Sequence, residues 1–151
     1  MAQLFNPDFK DFLQALNNSE VDYILVGGYA VILHGYERVT GDMDIWVRCT
    51  VENYKKLAHA FYAFGMPMFD MSLQNFLNVE GWDVFRFGRK PVAIDIMTKV
   101  KGLDFEEAYK KSQIRIIDNI PVRLIHYHHL ITAKKEAGRS KDLNDLENLP
   151  G

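Results

Sequence analysis

Two aspartates separated by a single residue, Asp42 and Asp44, have the types and spacing that could do chemistry. They lie in the segment TGDMDIWV, where acidic and bulky apolar residues alternate as they do along a β-strand. Side chains two residues apart on a strand share a face, so both carboxylates are expected on one side and Met43 and Ile45 on the other. The plainer alternative has Asp42 capping a turn and Asp44 in solvent.

A shared face brings the two carboxylates close enough to repel each other. Such a pair is stable when a cation lies between the two groups or when they share a proton. Hard carboxylate oxygens are ligands that Mg²⁺ and Mn²⁺ prefer. The pair therefore suggests a divalent-metal site, although Asp-x-Asp alone is a weak signal.

A third acid, Asp95, lies in the apolar segment VAIDIM. A lone carboxylate among apolar strand residues is costly unless it is paired or bound to metal. It is a candidate third ligand, and the alternative is a salt bridge to Lys99 or Arg123. Asp83 competes for the same role, but its surroundings are more polar.

Two glycines, Gly27 and Gly28, end the apolar run VDYILVGG. Glycines after a strand let the backbone approach a phosphate closely, and a following helix would direct free N–H groups toward that anion. The alternative is an ordinary turn between a strand and a helix.

Basic residues flank these motifs. Arg38 and Thr40 come just before the acid pair, and the planar guanidinium of Arg38 could bind phosphate or simply lie in solvent. A basic strip follows near the end of the sequence, and its members are Lys134, Lys135, Arg139 and Lys141. A solvated helix face is the favoured interpretation of most of this strip, with Lys141 the strongest candidate for binding triphosphate or RNA.

The last helical segment combines acids with leucines. Leu143, Leu146 and Leu149 have helical spacing and are expected to pack on the core. The acids between them are expected on the solvent side; they are Asp142, Asp145 and Glu147.

The predicted elements alternate irregularly between helix and strand. The predicted helices cover 7–18, 29–36, 51–64, 103–111, 127–137 and 141–149, with Ser140 capping the last. The predicted strands cover 21–28, 42–48, 82–87, 91–98, 113–118 and 120–125. This order predicts an α/β (α+β) fold with a small, mixed, mainly antiparallel sheet that carries the acids on one face and has helices packed behind. One domain over 1–151 is expected, with C-terminal helices within 126–149 packing on it.

Composition limits the possible classes of protein. The chain has 151 residues, 48% apolar and 25% charged, and a formal net charge of -2. That charge argues against a generic nucleic-acid coat, and the single cysteine, Cys49, excludes an intramolecular disulfide. No apolar run approaches the roughly 18–20 residues of a membrane span, and the first residues do not resemble a signal peptide, so a cytoplasmic protein with no membrane partner is expected.

The combination of motifs resembles the nucleotidyltransferase superfamily that includes polymerase beta and kanamycin nucleotidyltransferase. The resemblance rests on Gly27-Gly28, on Asp42-Met43-Asp44 after Arg38-x-Thr40, and on the strand acid Asp95. The segments ILVGGYAVILHGYERVTGDMDIWV and LITAKKEAGRSKDLNDLENL are similar to small bacterial relatives of the nucleotidyltransferase toxins of type IV toxin–antitoxin systems.

The resemblance implies a fold, a reaction and site roles. Gly27 and Gly28 would cradle a nucleoside triphosphate, and Asp42, Asp44 and Asp95 would bind Mg²⁺ or Mn²⁺. The implied reaction transfers a nucleoside monophosphate to a hydroxyl of RNA, a protein or a small molecule, with pyrophosphate leaving.

Two other functions remain open at this point. The first is a toxin–antitoxin or abortive-infection component acting through a partner protein. The second is a non-catalytic nucleotide- or metal-binding module.

Overall fold

The computed structural model describes residues 3–89 and 92–151. Within these residues, helices and strands mix around one sheet, as the sequence predicts. The helices are α1 (Pro7–Asn18), α2 (Gly27–Leu33), α3 (Val51–Phe64), α4 (Leu73–Leu77), α5 (Phe105–Lys111), α6 (Tyr127–Ala137) and α7 (Ser140–Asn148). The strands are β1 (Tyr23–Val26), β2 (Asp42–Val47), β3 (Val84–Arg89), β4 (Val92–Met97), β5 (Gln113–Ile117) and β6 (Ile120–Leu124).

The sheet has the order β3-β4-β2-β1-β6-β5. Strands β1 and β2, β3 and β4, and β5 and β6 pair antiparallel, whereas β2 with β4 and β1 with β6 pair parallel. The fold is therefore the predicted mixed, mainly antiparallel sheet. Because β4 is inserted between β2 and the edge strand β3, two strands separated by a long stretch of sequence become direct neighbours.

One face of the sheet carries the main apolar core. Met43 on β2, Ile94 on β4 and Phe87 on β3 are aligned across the sheet by its register. The Phe61 ring on α3 lies 4.7 Å from the Phe87 ring, and Phe12 on α1 lies 5.6 Å from Phe61. Helices α1 and α3 therefore cover the face opposite the acids, which fixes the direction in which Asp42 and Asp44 point.

The acid-bearing face is also covered, but by different helices. Trp46, two residues beyond Asp44, is 1% exposed, and its ring lies 5.1 Å from that of Phe105 on α5. Residues of α6 and α7 line a cavity that lies over the same face, at the first residues of β2. The parts of β2 and β4 that carry the acids thus lie between the apolar core and the C-terminal helices α6 and α7.

Local signals explain several element boundaries. Asn6 caps α1 by accepting a 2.8 Å hydrogen bond from the Phe9 N–H. Gly65 ends α3 with a left-handed φ of 87°, which glycine adopts without strain.

A few predicted boundaries are wrong. Helix α2 begins at Gly27, so the glycine pair is its first turn and not the end of a strand. Helix α4 has only five residues and was not predicted. Helix α7 begins at Ser140, so the expected capping residue is already helical. The predicted connection at 88–90 reaches Lys90, which lies outside the described residues.

Among the helices described over residues 3–89 and 92–151, none is long and apolar enough to cross a lipid bilayer.

Candidate active site

The structure brings the three predicted acids together on one face of the sheet. Asp44 on β2 is directly opposite Asp95 on the parallel neighbour β4, and Asp42 is opposite Ala93. On the antiparallel edge strand β3, Arg86 is opposite Asp95. The guanidinium Nη2 of Arg86 lies 3.0 Å from Asp42 Oδ2 and 2.9 Å from Asp95 Oδ2. One arginine therefore links carboxylates from two strands.

The structure identifies the ion-pair partner of Asp95. The alternative of a salt bridge is observed, but its partner is Arg86 and not Lys99 or Arg123. Asp83 is exposed and lies outside the cavity lining.

The electrostatics of the acid cluster reflect crowding of like charge. Burial, reinforced by the nearby carboxylates of Asp95 and Asp42, raises the pKa of Asp44 to about 6. Burial also raises the pKa of Asp95, although the Arg86 guanidinium opposes that shift. Among the described residues, Asp42 Oδ1 and Asp95 Oδ1 are buried and have no hydrogen-bond partner. Such oxygens are costly in a folded protein unless a ligand satisfies them.

The glycine pair is required by the site's own side chains. Gly27 has a φ of 70°, and a Cβ there would lie 2.8 Å from both Cβ and Cγ of Asp44. A Cβ on Gly28 would lie 2.9 Å from Cβ of Thr40 and 3.3 Å from a guanidinium nitrogen of Arg38. The first turn of α2 therefore packs directly on β2 and on the segment before it.

A cavity of about 160 Å³ opens beside these elements. Its lining includes seven of the eight residues that the sequence singles out: Gly27, Gly28, Arg38, Thr40, Asp42, Asp44 and Lys141. Asp95 lies next to the cavity through its pairing with Asp44 but is not itself part of the lining. The far wall comes from α6 and α7 and includes Leu130, Ala133, Lys134, Ala137, Arg139 and Asp142.

A chain of ion pairs, buried at Lys134, Asp142 and Asp145, supports this far wall. Arg38 donates to both oxygens of Asp145, at 2.7 and 3.0 Å. Lys134 Nζ lies 2.9 Å from Asp145 Oδ2 and 3.1 Å from Asp142 Oδ1. Arg139 completes the chain with a 2.6 Å contact between its Nε and Asp142 Oδ2. Three cations and two anions leave this network with one net positive charge, opposite a cluster that is predominantly negative.

These contacts correct the sequence-based interpretation of the C-terminal helices. Asp142 and Asp145 are 0% and 1% exposed, so the expectation that they lie on the solvent side is wrong. Lys134 is also buried, at 6% exposure, whereas Leu143 is 52% exposed instead of packing on the core. Arg38 does not lie free in solvent, because Asp145 holds its guanidinium and the residue lines the cavity.

Sequence reasoning missed two parts of this site. Arg86 gave no signal, because its proximity to the acids depends on β3 lying beside β4. The buried acids did give a signal, since Asp142 and Asp145 are three residues apart and share one helix face. Together with Lys134 and Arg139, the three-residue spacing of these acids is compatible with a buried ion-pair network as well as with a solvent-exposed helix face.

Comparison with solved structures identifies the class of fold that these elements define. A candidate nucleotidyltransferase from Thermotoga maritima superposes with a TM-score of 0.59 at 13% identity, covering 96% of this chain and 94% of that one. The lincomycin-bound lincosamide antibiotic adenylyltransferase LnuA gives a TM-score of 0.55 at 15% identity, with 98% of each chain covered. The antibiotic-resistance factor ANT(2'')-Ia gives 0.57 at 15% identity, covering 94% and 80%. The fold is that of the nucleotidyltransferases.

The family assignment follows from sequence. The family model described as "Nucleotidyl transferase of unknown function" matches residues 6–150, and the chain belongs to that family. No curated protein matches the sequence.

The contact between Gly27 and Asp44 predicts a specific double-mutant result. Gly27→Ala should lower the free energy of unfolding by about 2–4 kcal/mol, from the left-handed backbone and from the steric overlap with Asp44. The double variant Gly27→Ala/Asp44→Gly should recover the steric part, giving a coupling of about 1 kcal/mol or more in urea denaturation. Gly65→Ala is the matched control, because it has a φ of 87° and open space around it. Additive effects of the two substitutions would contradict the contact.

The buried ion-pair network predicts that Asp145 stabilises the fold. Asp145→Asn removes one charge with little change in volume and should cost about 3 kcal/mol, since Lys134 and Arg38 lose their shared anion. Glu147→Gln, an exposed acid of the same helix, should change stability by less than about 0.5 kcal/mol. Thermal denaturation would measure both variants, and equal effects would contradict a structural role for the network.

The raised pKa of Asp44 predicts a pH-dependent stability in metal-free buffer. Between its ordinary value of 3.8 and about 6, the folded state binds the Asp44 proton more tightly than the unfolded state does. Stability should therefore fall as pH rises through this window. At pH 8 with EDTA, Asp44→Asn should be more stable than the wild type by about 2 kcal/mol, and the difference should vanish near pH 4. A difference that stays constant from pH 4 to 8, or one that Asp83→Asn reproduces, would contradict the assignment.

Proposed function

We propose that this chain is a metal-dependent nucleotidyltransferase that moves a nucleoside monophosphate from a nucleoside triphosphate to a hydroxyl group. The observation that carries the proposal is the convergence of Asp42, Asp44 and Asp95 on one sheet face, opposite a positively charged cavity wall. Membership of a nucleotidyl transferase family and the nucleotidyltransferase fold support the reaction class.

The acid cluster is chemically suited to Mg²⁺ or Mn²⁺. All the candidate ligand atoms are carboxylate oxygens, the donors that these hard cations prefer. Two of these oxygens, on Asp42 and Asp95, are buried with no hydrogen-bond partner among the described residues. Over residues 3–89 and 92–151, no three acidic, histidine or cysteine side chains already form a closed metal cage. Metal binding at Asp42, Asp44 and Asp95 would therefore require small side-chain movements.

The opposite side of the cavity is suited to the triphosphate. Arg139 and Lys141 line it, and the ion-pair network to which Arg139 belongs carries one net positive charge. Gly27 and Gly28 also line the cavity, beside the acids. The N-cap residue Val26 has no side-chain oxygen to satisfy the first N–H groups of α2. Phosphate oxygens could accept hydrogen bonds from these groups. Arg38 and Thr40 would act by shaping this wall, since Arg38 is held by Asp145.

The proposed reaction is an in-line displacement at the α-phosphorus. The acceptor oxygen forms a bond to that phosphorus, the bond to the bridging oxygen of the β-phosphate breaks, and pyrophosphate leaves. Divalent cations, when bound, neutralise the charge that develops on the phosphoryl oxygens and favour the ionised hydroxyl. The hydroxyl proton leaves to solvent, and Asp44, with its raised pKa, would need to be ionised to act as a ligand.

The acceptor, a protein partner and the cellular role are further proposals. LnuA binds lincomycin, and ANT(2'')-Ia has been captured with adenylyl-2''-tobramycin, so both of these structural neighbours act on small hydroxyl-bearing antibiotics. For this chain we keep RNA, protein and small-molecule hydroxyls as acceptors, a cytoplasmic location, and a toxin–antitoxin role with a protein partner as predictions.

A label-transfer assay tests the proposed reaction. The four α-³²P-labelled nucleoside triphosphates would be incubated with the protein, Mg²⁺ or Mn²⁺, and panels of RNA, protein, aminoglycoside and lincosamide acceptors. Label should move to an acceptor with the wild type, and Asp44→Asn or Asp95→Asn should reduce the rate by about a hundredfold or more, because each removes a ligand charge.

Asp83→Asn is the matched control in that assay, since Asp83 is an exposed acid beside β3. Its rate should equal that of the wild type. Transfer that survives Asp44→Asn unchanged would refute the proposed site. Growth arrest on expression of the wild type, but not of Asp44→Asn, would extend the result to the toxin role.

A further inference from the structure

Arg86 occupies an unusual position for a residue on an edge strand. Its side chain is 47% exposed, yet one guanidinium nitrogen, Nη2, contacts the carboxylates of both Asp42 and Asp95. These are the only side-chain hydrogen bonds of Arg86 among the described residues. The guanidinium thus reaches from solvent into the cluster and brings a positive charge directly against two of its carboxylates.

The contacts of Arg86 compete with those of a metal ion. The guanidinium holds Oδ2 of Asp42 and Oδ2 of Asp95, and the remaining oxygen of each carboxylate is buried and unpartnered in the described structure. A divalent cation shared by the two acids would need oxygens from both of them. A guanidinium already placed between the two groups would repel it and would hold the carboxylates in an arrangement fitted to N–H donors.

We infer that Arg86 is a displaceable counter-ion, which holds the acid cluster together without metal and must leave Asp42 and Asp95 when a divalent cation binds. The inference rests on the proposed function, because it assumes that these acids bind metal. It assigns Arg86 as a positioning residue that sets the metal affinity of the site.

Exposure makes this displacement feasible. Ion pairs that remain accessible to water contribute little net stability, so releasing Arg86 costs far less than breaking the buried Lys134 network would. The released guanidinium would return to solvent at the sheet edge, whereas Lys134, at 6% exposure, has no such route. Arg86 and Lys134 therefore differ in kind: the first can exchange with solvent, and the second is fixed by its burial.

Mn²⁺ binding in the absence of nucleotide tests the inference. Free Mn²⁺ would be measured by electron paramagnetic resonance during titration of the wild type and of Arg86→Gln, with isothermal calorimetry as a second method. Removing the competing charge should tighten Mn²⁺ binding by about threefold to tenfold. The same substitution should lower the melting temperature in EDTA, because the carboxylates of Asp42 and Asp95 are left without their counter-ion. Tighter Mn²⁺ binding together with a lower melting temperature would not arise from a general loss of structure.

Two variants serve as controls. Arg86→Lys keeps the charge and should bind Mn²⁺ almost as the wild type does. Arg115 lies on β5, the edge strand opposite β3, and donates a 2.8 Å hydrogen bond to the Leu33 carbonyl. Arg115→Gln removes this bond and should lower stability with no change in Mn²⁺ affinity.

The possible outcomes separate this inference from the proposed function. Unchanged or weaker Mn²⁺ binding by Arg86→Gln would overturn it, and would instead make the guanidinium a permanent part of the occupied site. If the wild-type affinity depends on Asp44 but not on Arg86, the metal site stands and this inference alone fails. If neither the wild type nor Arg86→Gln binds Mn²⁺, both proposals fail.

Discussion

The structure depends on one electrostatic constraint: three carboxylates are brought together on a largely buried sheet face. Burying and crowding them is unfavourable: burial, and then the neighbouring carboxylates, raise the pKa of Asp44, and the fold opposes that cost in two places. Arg86 neutralises the cluster directly from the edge strand, and the network around Lys134 contributes positive charge from across the cavity. Every other feature of the site, including the close packing of the glycine turn, follows from holding these charges in fixed positions.

Most of the structure around the cavity is rigid, whereas the ion pairs of Arg86 can be exchanged. Helices α1 and α3 cover the opposite face of the sheet through aromatic contacts such as that of Phe61 with Phe87 on β3, and Met43 and Ile94 on β2 and β4 are buried in the same core. The ion pairs of Asp142 and Asp145 are buried and multiply connected. The partly exposed Arg86 is the element that can respond when charge enters the cavity. A preorganised site with one adjustable counter-ion suits the binding of a highly charged ligand.

The sequence predicts the parts of this arrangement that depend on local pattern. The alternation around Asp42 and Asp44 is sufficient to place both side chains on one face, and the bounds of helix Pro7–Asn18 follow from the proline at its start and the polar residues at its end. The pairing of Asp44 with Asp95 depends on β4 lying beside β2, and a single sequence carries no direct record of strand order or register. Arg86 escaped notice for the same reason. The buried Asp142 and Asp145 were misassigned because amphipathic patterns treat an acid as solvent-seeking, whereas a matched cation can hold it inside.

The ion pair between Arg38 and Asp145 joins residues 107 positions apart in sequence. Helix α7 supplies Asp145 and is the last element of the described chain to be synthesised, whereas the acids and glycines of the site emerge from the ribosome much earlier. Until α7 is available, Arg38 and Lys134 have no Asp145 to neutralise them. The site is therefore complete only after α7 has been synthesised, and a nascent chain that already contains all three carboxylates still lacks the wall against which a substrate would bind.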